Sequence, residues 1–147
     1  MKFRQATIHD LPEIIRLLFE DELGKEREQG KSTGSYQSAF EEIKVDPNQA
    51  LMVVEENGKV IGTCHLTFMP SLTFHGSKRM NIEAVRIDSA FRSRGVGEWM
   101  VQQALKMAQE KGCKIVQLTT NKKRKRAKEF YEKLGFKDTH EGMKLHL

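Results

Sequence analysis

"FRSRGVGEWM", residues 91–100, sets Gly95 and Gly97 one residue apart between arginines and an apolar run. Glycine weakens an ordered element, so the pair needs a reason: a turn that other residues resist, or a ligand that lies against bare main chain. Just upstream, "RMNIEAVRID" alternates as a strand, with Ile82, Ala84 and Arg86 on one face and Glu83, Val85 and Ile87 on the other. Just downstream, "GVGEWMVQQALKMAQEKG" repeats its apolar residues at helical spacing and stops at Gly112. The Gly-x-Gly therefore sits where a strand feeds a helix. First-turn N–H groups have no partner within their helix and lie at its positive end. With Arg92 and Arg94 beside them, residues Arg92, Ser93, Arg94, Gly95, Val96, Gly97 and Glu98 read as a pyrophosphate cradle. The plainer reading is a tight strand-to-helix turn and nothing more.

Two common phosphate-binding classes fall away. A dinucleotide fold needs a third glycine, where this chain has Met100, and an acidic residue on the next strand. A Walker loop needs a closing Gly-Lys-Ser/Thr, which is also missing.

The rest of the chain frames this unit. "IHDLPEIIRLLFEDEL" predicts a first helix, with Asp10 as its cap, Pro12 in its first turn, and Leu11, Ile14, Ile15, Leu18 and Phe19 on one face. "SYQSAFEEIK" predicts a second that ends before Asp46-Pro47. "ALMVVEE" and "KVIGTCHLTFM" flank Asn57-Gly58, the signal for a tight hairpin. "CKIVQLTT" predicts a buried strand, "KRAKEFYEKLGF" a helix stopped by Gly135, and "HEGMKLHL" a last strand; "KFRQAT" can supply a first one. Helices and strands in this order give an α/β layer structure with early antiparallel hairpins and a late crossover helix.

Bulk properties narrow the function. A length of 147 residues suits one domain, and 38% hydrophobic with 31% charged residues suits a globular chain in water. No apolar run approaches the roughly 18 residues of a membrane span, and "MKFRQATIHD" lacks a signal-peptide core, so the expected setting is the cytoplasm, with no membrane partner. Cys64 and Cys113 fall on apparent strands without metal-ligand spacing and read as reduced thiols, so no metal is expected. The net charge of +5 gathers in "NKKRKRAK", residues 121–128. The run Lys122–Arg126 is a solvated helix start, an anion contact or a nucleic-acid patch; few aromatics interleave with it, which argues against single-strand stacking. Of the histidines, His65 and His75 lie nearest the central strands and could touch substrate, while His9, His140 and His146 read as surface or packing residues.

Two motifs in order carry a resemblance. Arg92-Ser93-Arg94-Gly95-Val96-Gly97 resembles the Arg/Gln-x-x-Gly-x-Gly/Ala acyl-CoA signature of the GNAT N-acetyltransferases, and "AKEFYEKLGF", residues 127–136, resembles that family's late tyrosine helix. The likeness covers nearly the whole chain from residue 50 onward. It implies a single domain over residues 1–147, built as an α/β mixed sheet with antiparallel hairpins, a splayed central parallel pair and about four flanking helices. It implies an acetyl-CoA-dependent N-acetyltransferase acting on a primary amine, of a small molecule or a peptide, by direct attack with both substrates bound. The main chain of Val85 and Ile87 would hold the pantetheine arm, with Val85 N–H toward the thioester carbonyl. The amides of Arg94 to Glu98 would hold the pyrophosphate. Tyr131 would donate to the departing thiolate. Many members carry Asn seven positions before that tyrosine; here Arg124 stands there and Asn121 lies ten before, so either can be the CoA contact. Glu83, two residues before Val85 and on its face by alternation, is the candidate base, beside the alternatives of a water or a plain ion pair with Arg79 or Arg86. Glu20, Asp21, Glu22 and Glu26 could attract a cationic amine or simply face solvent. A non-catalytic acyl-CoA sensor and a nucleic-acid-binding protein using Lys122–Arg126 are the competing functions, and a homodimer is left open.

Overall fold

Asn57 and Gly58 take positive φ angles of 50° and 78°. Both central residues of a two-residue hairpin turn need this left-handed backbone, which Asn and Gly adopt at least cost. The turn joins β2 (Gln49–Glu56) to β3 (Lys59–Met69) in antiparallel register, with Glu56 opposite Lys59. The computed structural model describes residues 1–20, 23–25 and 33–147. Its sheet has five strands in sequential order, β1 (Lys2–Gln5), β2, β3, β4 (Arg79–Ile87) and β5 (Ile115–Leu118). The first three pairings are antiparallel, and β4 runs parallel to β5.

The longer helices among the described residues are α1 (Leu11–Phe19), α2 (Thr33–Val45), α3 (Val96–Glu110) and α4 (Lys125–Lys133). A parallel neighbour needs a crossover, and α3 supplies the one from β4 to β5. Alternation along the strands sorts two cores. Met52 and Val54 of β2, Cys64, Leu66 and Phe68 of β3, and Met80 and Ile82 of β4 form one cluster with Val96, Met100, Ala104 and Ala108 of α3. On the opposite face Ile14 and Leu17 of α1 pack on Val53 and Val60.

Several expectations shift. Helical structure begins with a 3₁₀ turn at Ile8–Asp10, and Asp10 is no simple cap of α1. Its carboxylate takes the Thr7 amide at 2.7 Å and the two terminal nitrogens of the Arg4 guanidinium, at 2.8 and 2.9 Å. Asp21 and Glu22 of the expected first helix lie outside the described residues, as does Glu26. Cys113 precedes β5 instead of lying on it, and β5 is a half-buried edge strand of four residues. The expected last strand is not formed. The tail after Phe136 has no strand, and Met143, Leu145 and Leu147 stand exposed. Their alternation satisfies the strand pattern, but so short an edge offers little ladder for it to join.

The Asp10 network has a pH consequence. Arg4 first, then the Thr7 amide, outweigh burial and hold the Asp10 carboxyl at about 2 against its ordinary 3.8. A depressed carboxylate stabilises the fold above its unfolded value and loses that contribution as pH falls through the folded one. Stability should therefore drop by about 2 kcal/mol between pH 5 and pH 2, and Asp10→Asn should remove that part of the slope in urea melts.

Candidate active site

The strand alternation that put Glu83 with Val85 breaks at Ala84. Thr63 pairs with Arg86 and His65 with Glu83, so three steps on β4 match two on β3. Ala84 takes up the extra residue with φ at 52°, a left-handed conformation costly for alanine. Beyond this bulge Val85 and Ile87 turn toward the α3 core alongside Met80 and Ile82. Glu83 stays on the face of β3 that carries His65. Its side chain is 56% exposed, and Oε1 lies 3.3 Å from His65 Nδ1. The expected partners Arg79 and Arg86 are not those it pairs with. The His65 hydrogen bond, outweighing burial, holds the Glu83 carboxyl below its usual range, helped by the charge of Lys144.

The parallel ladder ends early. Its last pair is Ile82 opposite Leu118, so among the described residues no strand pairs with 83–87 on that side. The Asp88 amide bonds back to Ile61 O at 2.9 Å, and alternation then turns the Ile87 and Val85 N–H groups away from β3, toward the open edge. On the same edge the Val85 carbonyl accepts from Arg86 Nη1 at 2.8 Å and the Ile87 carbonyl from Arg92 Nε at 3.1 Å. Sequence alternation could not bring Arg86 here, because the bulge that redirects it has no glycine or proline to mark it.

Below this edge the chain turns into α3. Gly95 is the residue before the helix, at φ 79°, and a Cβ added to it would meet nothing within 4 Å. Its glycine is required by backbone conformation and by nothing the protein packs there. Gly97 has ordinary φ; a methyl on it would touch Phe130 at 3.5 Å and Ile87 at 3.6 Å, so α3 starts close over α4. The first helical bond is Trp99 N to Gly95 O at 3.0 Å, which leaves the amides of Val96, Gly97 and Glu98 as the first-turn donors. Arg94 stacks on Phe91 at 4.9 Å, and Arg92 reaches Glu20 at 3.3 Å. Glu20 is thus a strut: it also takes the Ser89 amide at 3.1 Å and Arg16 at 2.6 Å. Its carboxylate is committed to α1 and the turn, so it is not an amine attractor.

Tyr131 on α4 packs edge-on against Phe130 and Phe136, at 5.1 and 5.8 Å. Burial, with the neighbouring Cys64, pushes its phenol up to about 12 against the opposing charges of Arg86 and Arg124. Arg124 is the N-terminal flanking residue of α4, so its charge reaches the tyrosine. Asn121 instead spends its side-chain oxygen on the Lys123 amide at 2.9 Å, shaping the turn. Of the basic run, Lys122, Lys123, Lys125 and Arg126 are exposed. Among the described residues no three His, Cys, Asp or Glu side chains gather as a metal site requires, and no helix is long and apolar enough to cross a membrane.

A strand that outruns its parallel neighbour, a bulge at its midpoint and a glycine-led helix start form one continuous edge. The acetyltransferase (GNAT) family model matches residues 12–136 of the sequence that builds it. The chain belongs to the GNAT acetyltransferase family. A solved structure described as a transcriptional regulator from Bacillus halodurans is 44% identical, with 99% of each chain covered and a TM-score of 0.95. Among sequence relatives, the glucosamine 6-phosphate N-acetyltransferase of Trypanosoma brucei brucei is 31% identical over 63% of this chain and 61% of its own length. The aminoalkylphosphonate N-acetyltransferase of Salmonella typhimurium is 25% identical over 95% of this chain and 86% of its own. The chain spans about three fifths, 60% and 61%, of the length of two curated relatives it matches.

In this GNAT chain the turn before α3 is anchored from behind by Asp88, which is 4% exposed. Burial raises its carboxyl, but the Ala90 amide at 3.0 Å, Lys59 at 3.1 Å and Arg16 at 2.9 Å overcome that and hold it below its ordinary value. One carboxylate thereby ties α1, the β2–β3 hairpin and the turn before α3 together. Asp88→Ala should cost about 1–3 kcal/mol in urea denaturation, because it leaves the Ala90 amide without its acceptor and cuts the ties to Lys59 and Arg16. A cost below about 0.5 kcal/mol would remove Asp88 as the anchor.

Proposed function

We propose that the chain is an acetyl-CoA-dependent N-acetyltransferase whose acceptor is the primary amine of a small molecule. The observation that carries this reading is the open β4 edge that leads into the amides of Val96–Glu98. The residues fit the cosubstrate. An added Cβ on Gly95 would point into open space, as a cradle for a bulky anion requires, and the edge donors Val85 N–H and Ile87 N–H continue in line from it. Both carbonyls on that edge are held by arginine side chains, which can move aside more readily than a backbone strand.

When bound, acetyl-CoA supplies an activated acetyl thioester. Val85 N–H supports the negative charge that develops on the thioester carbonyl oxygen. Glu83 takes a proton from the incoming amine, which must be neutral to attack. The Tyr131 phenol, kept protonated by burial, donates a hydrogen bond to the leaving sulfur. The amides of Arg94–Glu98 hold the diphosphate, with Arg124 better placed than Asn121 to add charge near the tyrosine. The two named relatives act on amines that carry a phosphate or a phosphonate, which favours a small acceptor over a protein.

A thiol-release screen with acetyl-CoA across phosphorylated amino sugars, aminoalkylphosphonates, polyamines, amino acids and lysine peptides tests this. Release with at least one small amine is expected. Tight CoA binding with no release across the panel would replace the enzyme by an acyl-CoA sensor.

A further inference from the structure

We propose that His65 is a positioning residue that receives, through Glu83, the proton taken from the acceptor amine, and that Gln49 sets the tautomer it needs. This rests on the transferase reading above. Three side chains form a row across β2, β3 and β4. Gln49 Oε1 lies 2.7 Å from His65 Nε2, and His65 Nδ1 lies 3.3 Å from Glu83 Oε1.

The far end of the row fixes its polarity. Gln49 Nε2 donates to Asp46 Oδ2 at 3.0 Å, and that carboxyl, lowered by the Gln49 bond and the Asn48 amide, accepts only. The amide oxygen of Gln49 must then face His65, and an oxygen acceptor there requires a proton on Nε2. In the neutral ring Nδ1 is left with its lone pair directed at Glu83, and it donates a hydrogen bond to that carboxylate when the ring holds the second proton. Glu83 is the exposed member at 56% and His65 the shielded one at 14%, so the carboxylate meets the acceptor and the imidazole stands behind it. Charged groups around the pair are Lys144 from the tail, which acts on Glu83, and Asp46 beyond Gln49.

The proton count is complete. A protonated amine loses two protons as its nitrogen bonds to the acetyl carbon and the carbon–sulfur bond breaks. One proton ends on the thiol. The other passes to Glu83 Oε1 and on to His65 Nδ1, leaving a carboxylate–imidazolium pair that returns the proton to water.

The test joins imidazole nitrogen NMR on the protein alone with steady-state kinetics. The neutral His65 ring should show the Nε2–H tautomer, and Gln49→Leu should add the Nδ1–H form. Glu83→Gln and His65→Gln should each lower kcat about 10- to 100-fold, with KM for acetyl-CoA within about twofold. Both should erase the same rising limb of the kcat/KM pH profile, and the double variant should be no slower than the slower single one. A neutral Nδ1–H tautomer in the wild-type chain overturns the proposal without any turnover data. So does an active wild type whose His65→Gln variant keeps the limb or whose double variant shows additive losses. A wild type inactive on every amine removes the transferase reading itself, and this inference with it.

Discussion

Replacing Tyr131 with phenylalanine should lower turnover about 100-fold while CoA binds as before. The ring is held by Phe130 and Phe136 through edge contacts that phenylalanine keeps, so the fold and the late helix survive the change. Only the hydroxyl is lost. Burial places that hydroxyl's pKa at about 12, so it is a proton carrier across neutral and mildly alkaline pH. Such a phenol is a hydrogen-bond donor to a departing thiolate more than a full acid, and the effect should appear in kcat and not in the KM for acetyl-CoA. Single-turnover and steady-state rates, with urea melts to show equal stability, decide it. Unchanged kcat would make Tyr131 a packing residue.

The second large effect lies at Gly95. Changing it to aspartate should weaken CoA binding about 100-fold or more. The left-handed backbone there, φ 79°, costs aspartate on the order of 1 kcal/mol, and a Cβ there would meet no atom of the packed protein within 4 Å. The protein should therefore still fold. What the new carboxylate meets is the space in front of the Val96–Glu98 amides, where it repels a diphosphate and can occupy the amides itself. Gly95→Asn has the same shape without charge and separates the two terms: it should lose about tenfold or less. Equal, small losses for both variants would place the anion elsewhere.

Much of this was legible because the decisive signals are local. Asn57-Gly58 carries its own turn geometry, and the spacing of Met100, Ala104 and Ala108 marks the buried face of α3 directly. Gly95 could be read as a backbone requirement before any fold was known. The bulge at Ala84 could not. Alanine is a poor left-handed residue, and only the pairing of β3 with β4 forces it into that conformation, so a reading by alternation put Glu83 on the wrong side relative to Val85. For the same reason the sequence hid the His65–Glu83 contact, which depends on strand register, and the approach of Arg86 to the open edge. The tail misled in the opposite way: Met143, Leu145 and Leu147 alternate as a strand would, yet a strand needs a partner, and β5 ends at Leu118.

The claim on which all of this depends is that the glycine-led start of α3 binds a diphosphate. Calorimetric titration of the wild-type chain with CoA, and in parallel with pantetheine, which lacks the diphosphate, tests it most directly. CoA should bind in the micromolar range and pantetheine at least about tenfold more weakly, since each charge-assisted bond to a phosphate contributes about 1.5–3 kcal/mol. Equal affinity for the two, or no heat with CoA at millimolar concentration, would contradict the account.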